Sequence, residues 1–212
     1  MKQLTSLSKE SYKKLPKDGS SDIMIDKDKL ESVGEYMNKK IKIIGYVLLT
    51  VVIAIVGYII IHELGHMIVM LSAGATITDF SILKAHVIGV GGNYSYVSNL
   101  WLHANGALLP MVVSLIYTLF YRKKIKSLFY HIFSYFISII SIGSMFAWVV
   151  IPFIYMQGNA PAGDDVTKFL HKFTQEYHPL VVSAVAMLII GLDVFVIIKK
   201  DIIKNFIRII RE

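Results

Sequence analysis

The chain of 212 residues contains no cysteine, only five prolines and few charged residues. Without cysteine it can form neither a disulfide framework nor a cysteine-ligated zinc finger, and it cannot use a thiol as a nucleophile. Charged residues make up 17% of the chain and hydrophobic residues 55%, against about 25% and 45–50% in ordinary globular domains. This composition excludes a disordered chain and favours a protein with several membrane-spanning segments.

Four apolar stretches are long enough to cross a hydrocarbon layer of about 30 Å, which takes about 20 helical residues. They cover residues 41–71, 100–121, 127–153 and 179–198. Residues 75–98 are rich in Thr, Ile, Val, Tyr and Gly, which predicts one or two short strands with Gly91 and Gly92 as the turn or bulge. We therefore expect an all-α polytopic membrane protein of about four transmembrane helices, with a short hairpin or strand segment between the first and the second.

The cations, 22 Lys and Arg against 15 Asp and Glu, cluster before the first stretch, between the second and third, and after the fourth. Because cytoplasmic loops retain Lys and Arg, this alternation predicts that both termini are cytoplasmic. The cations follow the loops without interleaved aromatic residues, so they do not indicate nucleic-acid binding.

The same pattern divides the chain into three regions. Residues 1–40 are polar and predict a flexible or loosely helical cytosolic tail. Residues 41–200 form the four-span core. Residues 201–212 predict an amphipathic helix on the inner leaflet, with a helical extension of the fourth span as the alternative. Abundant Lys and Ile with little Pro fit a low-GC bacterium.

One motif stands out within the first span, His62-Glu63-Leu64-Gly65-His66. Two histidines four residues apart share one helical face, where both can bind a single zinc ion. Glu63 lies beside that face and can take a proton from a zinc-bound water. Ionisable residues are rare inside a bilayer without a role. A structural His–Glu cluster that bonds a neighbouring helix is the alternative interpretation.

A catalytic zinc site takes three protein ligands and keeps one position open. The motif lies in the outer part of its span, so we expect the third ligand in an outer loop. Gly163-Asp164-Asp165 follows the third span, and its glycine permits a turn that aims a carboxylate inward. We predict Asp164 as the ligand, with Asp165 as the alternative. Both could instead be solvated loop acids or the cap of a helix over residues 166–173.

Two further residues are weaker candidates. His103 begins the second span on the side of the motif and could be a ligand or could hydrogen-bond a substrate. Asp193 lies in the fourth span, where an acid usually has a function, but we expect it nearer the inner side.

These residues resemble the site-2 protease group of intramembrane zinc metalloproteases, in its compact and divergent bacterial form without a PDZ or CBS domain. The resemblance rests on HELGH in the first span, the Gly-Gly segment after it, the small residues HANGA at 103–107, and an acid after the third span. It covers roughly residues 45–170, and only HELGH is highly specific.

The resemblance implies one zinc ion per chain, bound by His62, His66 and a distant Asp, with Glu63 as general base. It also implies an edge strand, here around residues 90–96, that holds the backbone of a membrane-anchored peptide or protein. The residues it assigns to substrate binding are Gly91, Gly92, Asn93 and Asn105. The predicted topology, with HELGH in the outer part of its span, places the expected active site toward the extracellular side.

Two other functions stay open. A nonenzymatic membrane accessory or immunity protein could keep a structural zinc site; it would need both histidines but tolerate Glu63→Gln. A metal transporter could use His62, His66 and Asp193, although its acids would then be spread through the spans. The clustering of HELGH at one depth disfavours transport.

Overall fold

The computed structural model describes residues 27–211 of the chain, which divides into two compact units, residues 1–40 and 41–212. Residues 1–26 of the first unit lie outside the described residues. They include most of the predicted cytosolic tail. The remainder of that unit is helical, and the Lys40 ammonium lies 4.4 Å from the centroid of the Tyr36 ring.

Within the described residues the chain forms six helices and two strands. They are α1 (Lys27–Ser72), β1 (Ala75–Ser81), β2 (His86–Gly91), α2 (Tyr96–Leu119), α3 (Leu128–Met156), α4 (Asp165–Phe173), α5 (Leu180–Lys199) and α6 (Ile202–Arg211). Four of these helices, α1, α2, α3 and α5, are long and apolar enough to cross a membrane. The predicted architecture of four long apolar helices, with a hairpin between the first and the second, is confirmed.

The first helix begins earlier than the apolar pattern predicts. The part of it that lies in the second unit, residues 41–72, is about 48 Å long at 1.5 Å per residue, whereas a hydrocarbon layer is about 30 Å thick. This part of α1 is therefore already longer than a membrane requires.

The hairpin that follows α1 is a two-stranded antiparallel sheet with an irregularity between Ile77 and Asp79. Its turn comprises residues 82–85. The prediction that Gly91 and Gly92 form the turn or bulge is therefore wrong. Their φ angles of 78° and 87°, which disfavour residues with a side chain, instead redirect the chain from the end of β2 toward α2.

The buried core lies where α2, α3, α4 and α5 meet. Hydrogen bonds add to the packing of α2 on α3: the Ser114 hydroxyl donates to the Ile137 carbonyl, and the hydroxyls of Thr118 and Ser138 share a hydrogen bond, both at 2.8 Å. Such bonds between membrane helices contribute about 0.6 kcal/mol each. The buried apolar side chains of this core are Ala104, Ala107, Met111, Met145, Trp148, Ile151, Val166, Leu170, Val182 and Ala186.

The C-terminal segment forms a helix of its own. Asp201 has a φ of 60°, which ends α5. The helix α6 is therefore separate from α5, and the alternative of a helical extension of the fourth span is wrong. The buried amide of Asn205 donates to the Tyr121 hydroxyl at 2.9 Å, and Lys123 forms an ion pair with Asp201 at 3.2 Å. These contacts hold the start of α6 against the segment that follows α2.

Candidate metal centre

The candidate site forms where α1 packs closely against α2. A Cβ at Gly65 would collide with the backbone of Asn105, so glycine is what allows this approach. The side-chain amide of Asn105 donates to the Gly65 carbonyl at 2.8 Å. This contact fixes the turn of α1 that carries the HELGH motif beside α2.

Three side chains converge on one point beside this contact. The Nε2 atoms of His62 and His66 are 3.1 Å apart, as their four-residue spacing on α1 predicts. The Oδ2 atom of Asp165, at the start of α4, lies 3.3 Å from Nε2 of His62 and 3.1 Å from Nε2 of His66. Two segments far apart in sequence thus supply three potential metal ligands at the corners of a small triangle.

The hydrogen bonds of the two imidazoles determine which nitrogen faces the triangle. Nδ1 of His66 lies 2.6 Å from the backbone carbonyl of Leu102; because a carbonyl can only accept, this nitrogen carries a proton and donates it. Nδ1 of His62 lies 3.3 Å from the Tyr58 hydroxyl and can donate in the same way. In neutral imidazoles this arrangement leaves both Nε2 lone pairs available to a metal.

Two lone pairs and a carboxylate oxygen within 3.1–3.3 Å of one another repel. Only a proton on an Nε2 atom or a cation among the three atoms removes this repulsion. The ligands of a tetrahedral zinc ion with bonds of about 2.0 Å lie about 3.3 Å apart, so the edges of the triangle match a zinc-sized ion. His62, His66 and Asp165 therefore form a group that could hold a metal ion.

Asp165 is held in its ionised form. Burial pushes the pKa of this carboxyl upward, but hydrogen bonds from the imidazoles of His103, His62 and His66, donated when their facing nitrogens carry protons, outweigh burial and hold the pKa well below its usual range. The carboxylate can therefore supply the negative charge that a divalent cation requires.

The preceding acid has a different partner. Oδ1 of Asp164 accepts hydrogen bonds from the backbone N–H groups of Val166 at 2.8 Å and Thr167 at 3.4 Å, and so caps α4. An N-cap residue points its side chain at the helix terminus rather than away from it. The geometry therefore favours Asp165, the alternative in the sequence analysis, over Asp164 as a metal ligand.

The triangle opens into a cavity of about 320 Å³. Glu63 lines this cavity and is otherwise buried. Among the described residues, its carboxylate has no partner in a hydrogen bond or ion pair, so it can accept a proton from a water in the cavity. The other lining residues come from α1, the hairpin, α2 and the start of α4: His62, His66, Met70, Ala85, His86, Val87, Leu102, His103, Gly163, Asp165 and Lys168.

Several residues that shape the site lie outside the HELGH motif. Leu102 orients one imidazole through its carbonyl. A Cβ at Gly106 would collide with the imidazoles of His66 and His62, so this glycine makes room for both rings. The small residues at 103–107 were a signal for this contact, but only the packing of α1 on α2 identifies which of them faces the rings.

The residues assigned to substrate binding are not among those that line the cavity. Gly91 and Gly92 are at the far end of β2, and the N–H of Asn93 donates to the Ala73 carbonyl at 2.8 Å. The Asn105 amide is engaged by Gly65. The start of β2 borders the cavity instead, through Ala85, His86 and Val87.

Asp193 is not part of this site. Its side chain is fully buried in α5, and neither carboxylate oxygen has a hydrogen-bond partner among the described residues. It belongs to none of the described groups that could hold a metal.

No family model, no curated protein and no solved structure matches this chain. The geometry of the site is therefore the basis for inferring function.

Proposed function

We propose that the chain is a membrane-embedded zinc metalloprotease that hydrolyses peptide bonds of membrane-associated or membrane-spanning peptides. The observation that carries this proposal is the position of Glu63, a buried acid without a partner among the described residues, on the same cavity as the triangle of His62, His66 and Asp165. A metal site that only stabilised the fold would not need a neighbouring acid that water can reach.

Each residue has a defined task in this proposal. His62, His66 and Asp165 would hold the ion, and their arrangement leaves the cavity side for substrate and water. A zinc ion there would make a water acidic enough to supply hydroxide near neutral pH and would polarise the scissile carbonyl. Glu63 would accept the proton of the attacking water and later return it to the leaving amine.

The length of α1 supports a site at the outer membrane face. His62 follows Lys42, the cation at the N-terminal end of the first apolar stretch, by 20 positions, which corresponds to about 30 Å of helix. With Lys42 at the inner interface, His62 lies at the outer one, because the hydrocarbon layer is also about 30 Å thick. Water can reach such a position, as hydrolysis requires.

The hairpin supports binding of an extended peptide. Among the described residues each of its two strands has a single partner in the sheet, so each has an edge that can pair with a further strand. Because Ala85, His86 and Val87 border the cavity, a peptide that adds to the edge near this end would pass the triangle. The substrate strand is thus expected at the start of β2 rather than around residues 90–96.

The decisive comparison is between the purified full-length chain and its Glu63→Gln variant in lipid nanodiscs. A library of quenched fluorescent peptides serves as substrate, and zinc content is measured on the same samples. We expect about one zinc per chain in both proteins and hydrolysis only by wild type. Glu176→Gln, which changes an exposed glutamate outside the cavity, is the matched control and should remain active.

Two outcomes would overturn the proposal. Hydrolysis that persists in the Glu63→Gln variant would remove the general base. Bound zinc without hydrolysis of any library member by wild type would favour a nonenzymatic accessory or immunity protein with a structural zinc site.

A further inference from the structure

We infer that His103 is a positioning residue that holds the Oδ1 atom of Asp165, so that the carboxylate offers only Oδ2 to the metal. The inference rests on the metal site of the proposed function. It assigns to His103 a role different from that of a ligand or a substrate-binding residue, the two roles considered from its place in the sequence.

The contacts of Asp165 are divided between its two oxygens. Oδ2 lies 3.3 Å and 3.1 Å from the Nε2 atoms of His62 and His66. Oδ1 lies 3.5 Å from Nδ1 of His103, an ion-pair distance. Contacts of this kind are often long in ligand-free sites and shorten when the site is loaded.

His103 is too far from the triangle to complete it. The group whose ligand atoms all lie within 4.8 Å of one another comprises, among the described residues, His62, His66 and Asp165 without His103. The His103 side chain nevertheless lines the cavity and is only 17% exposed. It therefore touches one proposed ligand rather than the position of the ion.

One turn of α2 contacts all three proposed ligands. The Leu102 carbonyl accepts from His66, and Gly106 makes room for the rings of His66 and His62. His103 completes this set by reaching Asp165, which comes from α4. The contact thus links the α4 ligand to the helix that already orients the two α1 ligands.

The consequence is a carboxylate that binds through one oxygen. A catalytic zinc site needs three protein ligands and an open position for water, and a carboxylate that binds through both oxygens would occupy that position. Residues that orient metal ligands typically change metal affinity by about 10–100-fold when they are lost. We expect an effect in this range for His103.

The test measures zinc affinity of the purified full-length chain by competition with a fluorescent chelator. His103→Asn keeps an N–H donor near the place of the imidazole Nδ1, whereas His103→Gln places its amide near Nε2, further from Oδ1. We expect His103→Ala and His103→Gln to weaken zinc binding by about 10–100-fold and His103→Asn to restore most of it. His171→Ala is the matched control, since this exposed histidine on α4 contacts the Tyr155 hydroxyl at 3.2 Å and should leave affinity unchanged.

Equal zinc affinity of the Asn and Gln variants would overturn the inference, as would wild-type affinity of His103→Ala. The comparison of Asn with Gln decides the matter even if the Ala variant does not fold, because both amides are neutral and polar. This test and the test of the proposed function use different measurements. Tight zinc binding without peptide hydrolysis by wild type would contradict the proposed protease function. The ratio of the zinc affinities of the His103 variants to that of wild type would still test the role of His103.

Discussion

The Nδ1–H of His66 donates a hydrogen bond to the backbone carbonyl oxygen of Leu102, with 2.6 Å between Nδ1 and the oxygen. The acceptor belongs to the main chain of α2, so its position depends on how α1 packs against α2. Gly65 sets that packing through its contact with Asn105. The orientation of a proposed metal ligand is therefore a consequence of helix packing, and substitutions that separate the helices should remove the metal.

Gly106→Ala is expected to abolish or strongly weaken zinc binding, because the added Cβ would collide with the imidazoles of His66 and His62. Gly143→Ala in α3 is the control, since a Cβ at that position meets nothing within 4 Å. Zinc stoichiometry after dialysis, measured by elemental analysis, checks both variants. A Gly106→Ala protein that retains one zinc per chain would contradict the close contact of α2 with the two rings.

Asp165→Asn is expected to lose the metal, whereas Asp164→Asn should keep it. Asparagine removes the charge at Asp165 with almost no change in shape, but it caps a helix about as well as aspartate and so preserves the role of Asp164. Zinc content and thermal unfolding of the two purified variants provide the measurement. Loss of zinc in Asp164→Asn with retention in Asp165→Asn would reverse the assignment of the third ligand.

The sequence was sufficient for the framework on which these residues lie. Uninterrupted apolar stretches of about 20 residues have few alternatives to membrane helices, and the four-residue spacing of His62 and His66 requires one helical face. The choice between Asp164 and Asp165 was not available from the pattern, because either acid can cap α4. Only the three-dimensional structure distinguishes the two acids. Asp164 accepts a hydrogen bond from a backbone N–H at the start of α4, whereas Asp165 lies close to both imidazoles.

Asp193→Leu is expected to stabilise the protein without affecting zinc. The carboxyl is fully buried and lacks a hydrogen-bond partner among the described residues, and such a group costs about 1–3 kcal/mol. A leucine of similar shape should therefore raise the free energy of unfolding in detergent. Lower stability, or loss of bound zinc, would show instead that Asp193 has a partner or belongs to a metal path, as a transporter would require.

The absence of cysteine permits a direct test of orientation. Leu83→Cys places a single thiol in the hairpin turn, where the native side chain is 99% exposed, and Lys124→Cys places one in the cation-rich loop between α2 and α3. In right-side-out vesicles a membrane-impermeant maleimide should label the first variant at once and the second only after permeabilisation. Labelling of both from the same side would contradict the proposed position of the site.

The parts of the site that the sequence left unassigned are those formed by contacts between helices. Gly106 and Leu102 have no distinctive chemistry, and their effect depends on which face of α2 meets α1. His103 could be recognised as polar in an apolar span, but its relation to Oδ1 of Asp165 depends on where α4 starts. The hairpin is a further example: the sequence predicts Gly91 and Gly92 as the turn or bulge, yet they follow the pairing of β2 and lead toward α2.

Zinc K-edge X-ray absorption of the purified full-length chain tests the central claim most directly. We predict one zinc per chain with a first shell of about four light atoms at 2.0–2.2 Å, including the signature of two imidazole rings, and loss of that signature in His62→Ala and His66→Ala. A spectrum with no imidazole contribution, or one left unchanged by both substitutions, would contradict a metal centre built by His62, His66 and Asp165.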